Sequence, residues 1–362
     1  MSIIEAGSAF RTWAARHGLA PSAAAAQVAE DGNTRGELLT QLDDVFGSLD
    51  PTLMRALNAR KVHAVAANSV ENKLLVYVSK AFTAKQLSKL PSSFEGYSLE
   101  YRHGVIGQVG GNSSSGVGSP SHYLHNGRIS CGSSVGLGGS MVVGTLGVLV
   151  RVNGDLFGLS NNHVIGRCSY AESGHPVLSP GNLDINPYFL THPFTAGVFE
   201  TAAPMIYGVP AIVNVAKNLD AALMRIVDES KVSAMQGDMY KTPQVTASIV
   251  DNMMVQKVGR TTGHTKGRVM GKIAGFQSVS YVIPELNQNF NVFFSEVWIV
   301  QGLGSSFSES GDSGALVVGE LTDGTLASVG LVFAGNGTIS LVVPLDLILD
   351  HFNATIDSLH GV

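Results

Sequence analysis

The sequence predicts a mainly β protein, a barrel or sandwich of short strands, preceded by a small α+β module and a helical N-terminal extension. Three observations carry this. Forty-two glycines punctuate short apolar runs in a chain of 362 residues, the pattern of many strands joined by tight turns. Asn153-Gly154 separates two apolar runs, GTLGVLVRV and DLFGLSNN, a strong hairpin signal because both turn residues tolerate positive φ. Apolar residues before position 60 recur at helical rather than strand spacing. The length suffices for one large core plus a smaller domain.

Residues 1–60 read as a helical extension. PSAAAAQVAEDG is Ala-rich, and Leu38, Leu39, Leu42, Val45 and Phe46 form one apolar stripe. That stripe is expected to pack internally; a partner or a second copy is the other use for it. Residues 61–106 read as a small α+β module in the order β-β-α-β, with AFTAKQLSKLP a short helix turning Leu87 and Leu90 inward. Residues 107–128, GQVGGNSSSGVGSPSHYLHNGR, form a Gly/Ser-rich linker with little to bury, expected to be mobile and protease-sensitive. Residues 129–362 supply the β body. Its strand candidates include AALMRIV, VTASIV, GRVMGKIAGF, VWIVQGL, GALVVGE, LASVGLVFAG and TISLVVPL. Leu345, Ile348, Leu349, Phe352 and Ile356 then predict a closing helix.

Composition narrows the function classes. Twenty-three basic against 28 acidic residues give a net charge of −5 with no Lys/Arg block, so nothing argues for nucleic acid. The apolar runs are short and broken by glycine, so no membrane span is expected. The N-terminus lacks a secretory pattern, which makes the cytoplasm the expected compartment. Cys131 and Cys168 are too few for a disulfide scaffold and are read as two reduced thiols; no cofactor or metal cluster is expected.

Three segments carry chemistry: LSNNHVIG, NLDAALMRI and SESGDSGAL. In the last, glycines flank Asp312-Ser313 and permit a tight turn that exposes a hydroxyl. The same turn can aim the N–H groups of Gly311 and Ser313 at one point, where they would stabilise an oxyanion. A hydroxyl alone is a poor nucleophile and needs a base. His163, just after an apolar strand, can supply it, and Asp220, ahead of AALMRI, can orient the imidazole. Singly, each residue is equally an ordinary turn, core or cap residue; their order and flanks give them weight together.

With those flanks in view, residues 129–352 resemble the bacterial-type trypsin-like serine peptidases. The resemblance rests on GTLGVLVR, LSNNHVIG, GHPVLSPGNLD, LDAALMRI, KVGRTTGHTKGRV, SGDSGALVV and GLVFAG. It implies a chymotrypsin-like double β-barrel and a serine endopeptidase acting on protein or peptide substrates. His163 would be general base, Asp220 the orienting acid, Ser313 the nucleophile, and Gly311 with Ser313 the oxyanion donors. It places a specificity pocket among Phe307, Ser308, Ser310, Phe333, Ala334 and Gly335. No acid stands where an Arg/Lys-specific enzyme carries one, and Phe307 would partly fill the pocket, so small or medium apolar side chains are expected. Asp312 matches the acid that can pair with a new amino terminus, so cleavage at Arg128-Ile129 would make a zymogen. The chain departs from the family in its cysteines, in Asn161-Asn162 before the histidine, and in a long loop-rich insertion before Asp220.

Two residues are weighed beside these. Asp184 is a second acid, in a loop-like context that ranks it behind Asp220. GRTTGHTKGRV lacks the phosphate-loop order and reads as a turn opening the second barrel, with His264 at the surface rather than against substrate. Two rival functions stay open: a peptide-binding protein without turnover, and an esterase with the same triad.

Overall fold

The computed structural model describes residues 1–20, 36–107, 109, 122–185, 194–208, 210, 212–335 and 337–362. Helix α1 (Ile3–Arg16) begins in a capping box, with the Ser2 hydroxyl accepting from Glu5 N and the Glu5 carboxylate accepting from Ser2 N. Helices α2 (Gly36–Gly47) and α3 (Pro51–Arg60) follow, α3 capped by Asp50 with proline in its first turn. Their apolar faces cover strands β1 (Val62–Asn68), β2 (Lys73–Val78) and β3 (Tyr97–His103). Phe10, Trp13, Leu38, Leu39, Leu42, Phe46 and Leu57 share one core with Val65, Leu74 and Val76. Each large side chain buried there contributes about 1.5–3 kcal/mol.

The stripe expected in the extension thus packs on this chain's own strands, with Val45 only partly buried at its margin. PSAAAAQVAEDG lies outside the described residues. The β-β-α-β order holds, with one correction: Leu90 is buried but Leu87 is exposed, because the helix Ala84–Leu87 makes a single turn and buries none of its residues.

The body contains strands β4 (Ser134–Leu137), β5 (Val148–Val152), β6 (Asp155–Ser160), β7 (Pro176–Ser179), β8 (Phe194–Ala202) and β9 (Ala222–Ile226). After them come β10 (Met254–Gly259), β11 (Gly263–Ile273), β12 (Gln277–Ile283), β13 (Gln288–Phe294), β14 (Trp298–Gly302), β15 (Leu316–Glu320), β16 (Leu326–Gly335) and β17 (Ser340–Pro344). The first group forms a curled eight-stranded sheet in the order Thr355–Ile356, β5, β6, β9, β8, β7, β4, Gly144–Thr145. The expected Asn153-Gly154 turn joins β5 to β6 with φ of 51° and 94°. In the second group β10, β15, β16, β17, β14 and β11 close into a six-stranded barrel, β11 returning to β10. This is the chymotrypsin-like double barrel with a small N-terminal module.

The module is no separate bead. β1 pairs antiparallel with β11, Ala66 against Ile273 and Ala67 against Lys272, so its strands prolong the second barrel's sheet to ten. Two glycines make room for the seam. A Cβ on Gly271 would lie 2.5 Å from Ala67 O, and one on Gly7 of α1 would lie 2.6 Å from the Ala274 methyl.

Other expectations shift. Residues 108 and 110–121 of the linker lie outside the described residues, but Leu124–His125 and Arg128–Cys131 are strands of a four-stranded sheet with Val232–Gln236 and Tyr240–Lys241. VTASIV makes only one bridge, Thr246 to Ser328, because β16 already has a partner on each side. The insertion before Asp220 contains β7 and β8, although 186–193 lie outside the described residues. The closing helix α4 (Leu345–Phe352) buries Leu345 and Ile348, while Ile356 belongs to a short strand on β5. Cys131 and Cys168 are separate buried thiols in different clusters.

Candidate active site

Strand register brings His163 and Asp220 together. β6 and β9 run antiparallel with Leu159 opposite Leu223 and Ser160 opposite Ala222. Continuing that pairing beyond both strand ends sets the turn after Ser160 beside Asp220. A four-residue helix, Asn162–Ile165, then carries His163. His163 Nδ1 lies 2.6 Å from Asp220 Oδ2, and the His163 backbone N–H donates to Asp220 Oδ1 at 3.0 Å. Asn161 Nδ2 donates to the Asp220 carbonyl. Asp220 is fully buried and His163 is 5% exposed, so water does not compete for the carboxylate. Asp184 does not reach His163. It accepts a bidentate pair from Arg260, Nε at 2.6 Å and Nη2 at 2.5 Å, with the Ser134 hydroxyl also donating to it.

Ser313 sits between β14 and β15, on a turn pressed against the first barrel. Its carbonyl accepts from Thr145 N at 2.8 Å. A Cβ on Gly144 would fall 2.7 Å from that carbonyl and 2.5 Å from the side chain of Val164, next after His163. Gly314 packs as closely, its added Cβ 3.4 Å from Asn161 N. The Ser313 turn and the His163 helix therefore meet across residues without side chains. Ser313 is half-buried. Among the described residues, no hydrogen bond joins its hydroxyl to His163. Gly311 has φ of 99°, a conformation that favours glycine, and its own Cβ would strike Arg260 and Thr261. Neither Gly311 N–H nor Ser313 N–H donates a backbone hydrogen bond among the described residues, leaving both free to face a ligand oxygen.

Asp312 is held from within. Fully buried, it accepts from Thr261 N at 2.8 Å, Thr262 Oγ1 at 2.7 Å and Glu309 N at 3.0 Å, and it pairs with the buried ammonium of Lys257 at 3.4 Å. Burial pushes the Lys257 pKa down while the Asp312 charge opposes the change. The cation beside Asp312 is Lys257, Ile129 is 1% exposed inside a strand, and Arg128 donates to the carbonyls of Ser230 and Gly361.

The pocket residues separate. Phe307 is a core side chain beside Val269, Val300 and Val332, tight against Gly267, rather than a pocket filler. Phe333 faces the other way along the pleat and packs on Phe294, ring centres 5.0 Å apart. The Ser308 hydroxyl bonds that of Ser340 at 2.5 Å, the Ser310 carbonyl accepts from Thr261, and Ala334 and Gly335 continue β16. His264 is half-buried against Gln256 and Tyr240, on the β10–β11 hairpin.

Sequence reasoning missed Tyr281. Its hydroxyl donates to Asp220 Oδ2 at 2.9 Å, and its ring lies 5.6 Å from that of His163. It stands on the β12–β13 hairpin, absent from the expected strands. The signal was there: QSVSYVI alternates and is buried on every second residue.

The fold is the chymotrypsin-like double β-barrel. No protein-family model matches it. Protein NARROW LEAF 1 of Oryza sativa subsp. japonica is 27% identical over 234 residues, 57% of this chain; the chain spans 37% of that protein's length. Among solved structures, Thermobifida fusca Protease A is similar at 17% identity over 63% of this chain and 97% of its own, with a TM-score of 0.41. Nocardiopsis protease is similar at 19% identity over 62% and 97%, with a TM-score of 0.40. No helix among the described residues is long and apolar enough to cross a membrane.

Proposed function

We propose that this chain is a serine endopeptidase, working in the cytoplasm on protein or peptide substrates. The observation that carries the reading is the doubly bonded His163–Asp220 pair beside a glycine-framed Ser313 turn with two unengaged amides. Asp220 keeps the proton of His163 on Nδ1, which leaves Nε2 to accept one. Ser313 Oγ attacks the scissile carbonyl, and its proton passes to Nε2. The oxyanion is held by the N–H groups of Gly311 and Ser313; one such donor is worth roughly 3 kcal/mol in the transition state. As the tetrahedral intermediate collapses, Nε2 protonates the leaving amine. Water then attacks the acyl-enzyme, Nε2 takes its proton, and Ser313 recovers one as the acid product leaves. If cleavage at Arg128-Ile129 activates the chain, the new amino terminus has to replace Lys257 beside Asp312. Small or medium apolar side chains remain the proposed preference, and a peptide-library profile dominated by Arg or Lys would refute it.

The experiment is labelling of the purified protein with a fluorophosphonate, the adduct mapped by mass spectrometry and Ser313→Ala as control. An adduct on Ser313, lost in the variant, supports the reading. A second reading, a peptide binder without turnover, draws on the missing hydrogen bond between the Ser313 hydroxyl and His163. It predicts no adduct together with retained peptide binding.

A further inference from the structure

The β12–β13 hairpin is built against the segment that carries Asp220. Asn218, two residues before the acid, donates from Nδ2 to Phe293 O at 3.0 Å, and Tyr207 bridges to Val292. At the hairpin's turn, the Glu285 carboxylate accepts from the Ser140 hydroxyl and from Met141 N. On its outer edge Val109 donates to Ser280 O and accepts from Val282 N, both at 2.8 Å, so the chain leaving the N-terminal module grips the residues on either side of Tyr281. Tyr281 is wholly buried, against Phe290 and Phe294. Its hydroxyl has one acceptor, Asp220 Oδ2, the oxygen that also faces His163 Nδ1.

We propose that Tyr281 is a positioning residue for the His163–Asp220 pair, and that Val109 fixes its strand, tying the N-terminal module to the site. The inference rests on the peptidase reading for its consequence in activity but not for its geometry. A buried carboxylate needs its lone pairs occupied. The phenol supplies a donor that stays protonated, because burial and then the Asp220 charge push its pKa well above the ordinary value. His163 and Tyr281 bond this carboxylate, and Cys168 lies near enough to feel its charge, its thiol kept neutral by burial. Sharing Oδ2 between two donors spreads the negative charge felt at the imidazole. Removing the hydroxyl concentrates that charge on His163, which favours its protonated form and lengthens the time the base is unavailable.

The test is Tyr281→Phe, which keeps the ring and removes only the oxygen. Two readouts are compared with the wild type: the rate of fluorophosphonate labelling of Ser313 against pH, and the downfield proton resonance of the His163 Nδ1–H. The expected result is roughly tenfold slower labelling, an acid limb moved to higher pH, and a resonance moved downfield. An unchanged limb and an unchanged resonance would overturn the proposal, even if Tyr281→Phe lowered the melting temperature, since packing alone moves neither. Failure of the wild type to label at Ser313 overturns the peptidase reading instead. In that case the resonance still decides on Tyr281, a downfield move supporting its hold on Asp220 and no move refuting it.

Discussion

His163 is bound to Asp220 twice, once through its ring at 2.6 Å and once through its own backbone N–H at 3.0 Å. One carboxylate therefore sets both the tautomer of the imidazole and the position of the helix turn that carries it. Asp220→Asn keeps the shape but presents an amide N–H where an acceptor is needed. Fluorophosphonate labelling of Ser313 is expected to slow by on the order of 10⁴-fold, the cost of a wrong tautomer in a triad. A rate within tenfold of the wild type would remove Asp220 from the role proposed for it.

Lys257 and Asp312 form a buried pair under the Ser313 turn, both without exposed side-chain surface. Breaking such a pair strands a charge and costs about 3–5 kcal/mol. Lys257→Met and Asp312→Asn should each lower the unfolding free energy measured in urea by that amount, and the double variant should lose much less than their sum. Additive losses would mean that the two charges do not depend on each other.

The seam between β1 and β11 predicts that the N-terminal module is part of the folding unit. Gly271→Val drives a branched side chain into the Ala67 carbonyl, which a bare Cβ would already approach to 2.5 Å. A loss of about 2 kcal/mol or more is expected from the overpacking, seen as one cooperative unfolding transition at lower denaturant. A chain lacking residues 1–106 should be insoluble, because the edge of β11 loses its partner strand and Met270 and Ile273 lose the cover of Ala64, Ala66, Leu75 and Tyr77. A soluble, monomeric, probe-reactive product would contradict this.

Both thiols are sealed in. Burial pushes the Cys131 pKa up to about 12 and that of Cys168 well above its ordinary value, so neither offers thiolate near neutral pH. Iodoacetamide at pH 8 should leave the native protein unmodified and alkylate both cysteines once urea unfolds it. Prompt alkylation of the folded chain would show that one of these clusters opens.

Much of this molecule was legible along the chain. The Asn153-Gly154 turn, the strands on either side of it, and the stripe Leu38, Leu39, Leu42 and Phe46 follow from local rules of turn chemistry and apolar period, and each lies where those rules put it. Tyr281 was missed although its strand alternates, because a tyrosine in an apolar run looks like any core aromatic until its hydroxyl has an address. Phe307 and Phe333 read as pocket residues, yet Phe307 lies in the core of the second barrel and Phe333 in the cluster that joins the barrels and the N-terminal module.

The sequence alone determined the mainly β class and the residue types available for nucleophile, base and acid. Their order in the chain followed too. Those properties are written in spans of five to twenty residues, over which side-chain period and glycine placement act. Only the tertiary structure decided that Asp184 meets Arg260, that Lys257 neutralises Asp312, that Tyr281 donates to Asp220, and that the N-terminal strands prolong the second barrel. Each of those depends on the register between strands far apart in sequence. A register is chosen by the packing of the whole core, since a slip of one residue would turn every side chain of a strand to the opposite face.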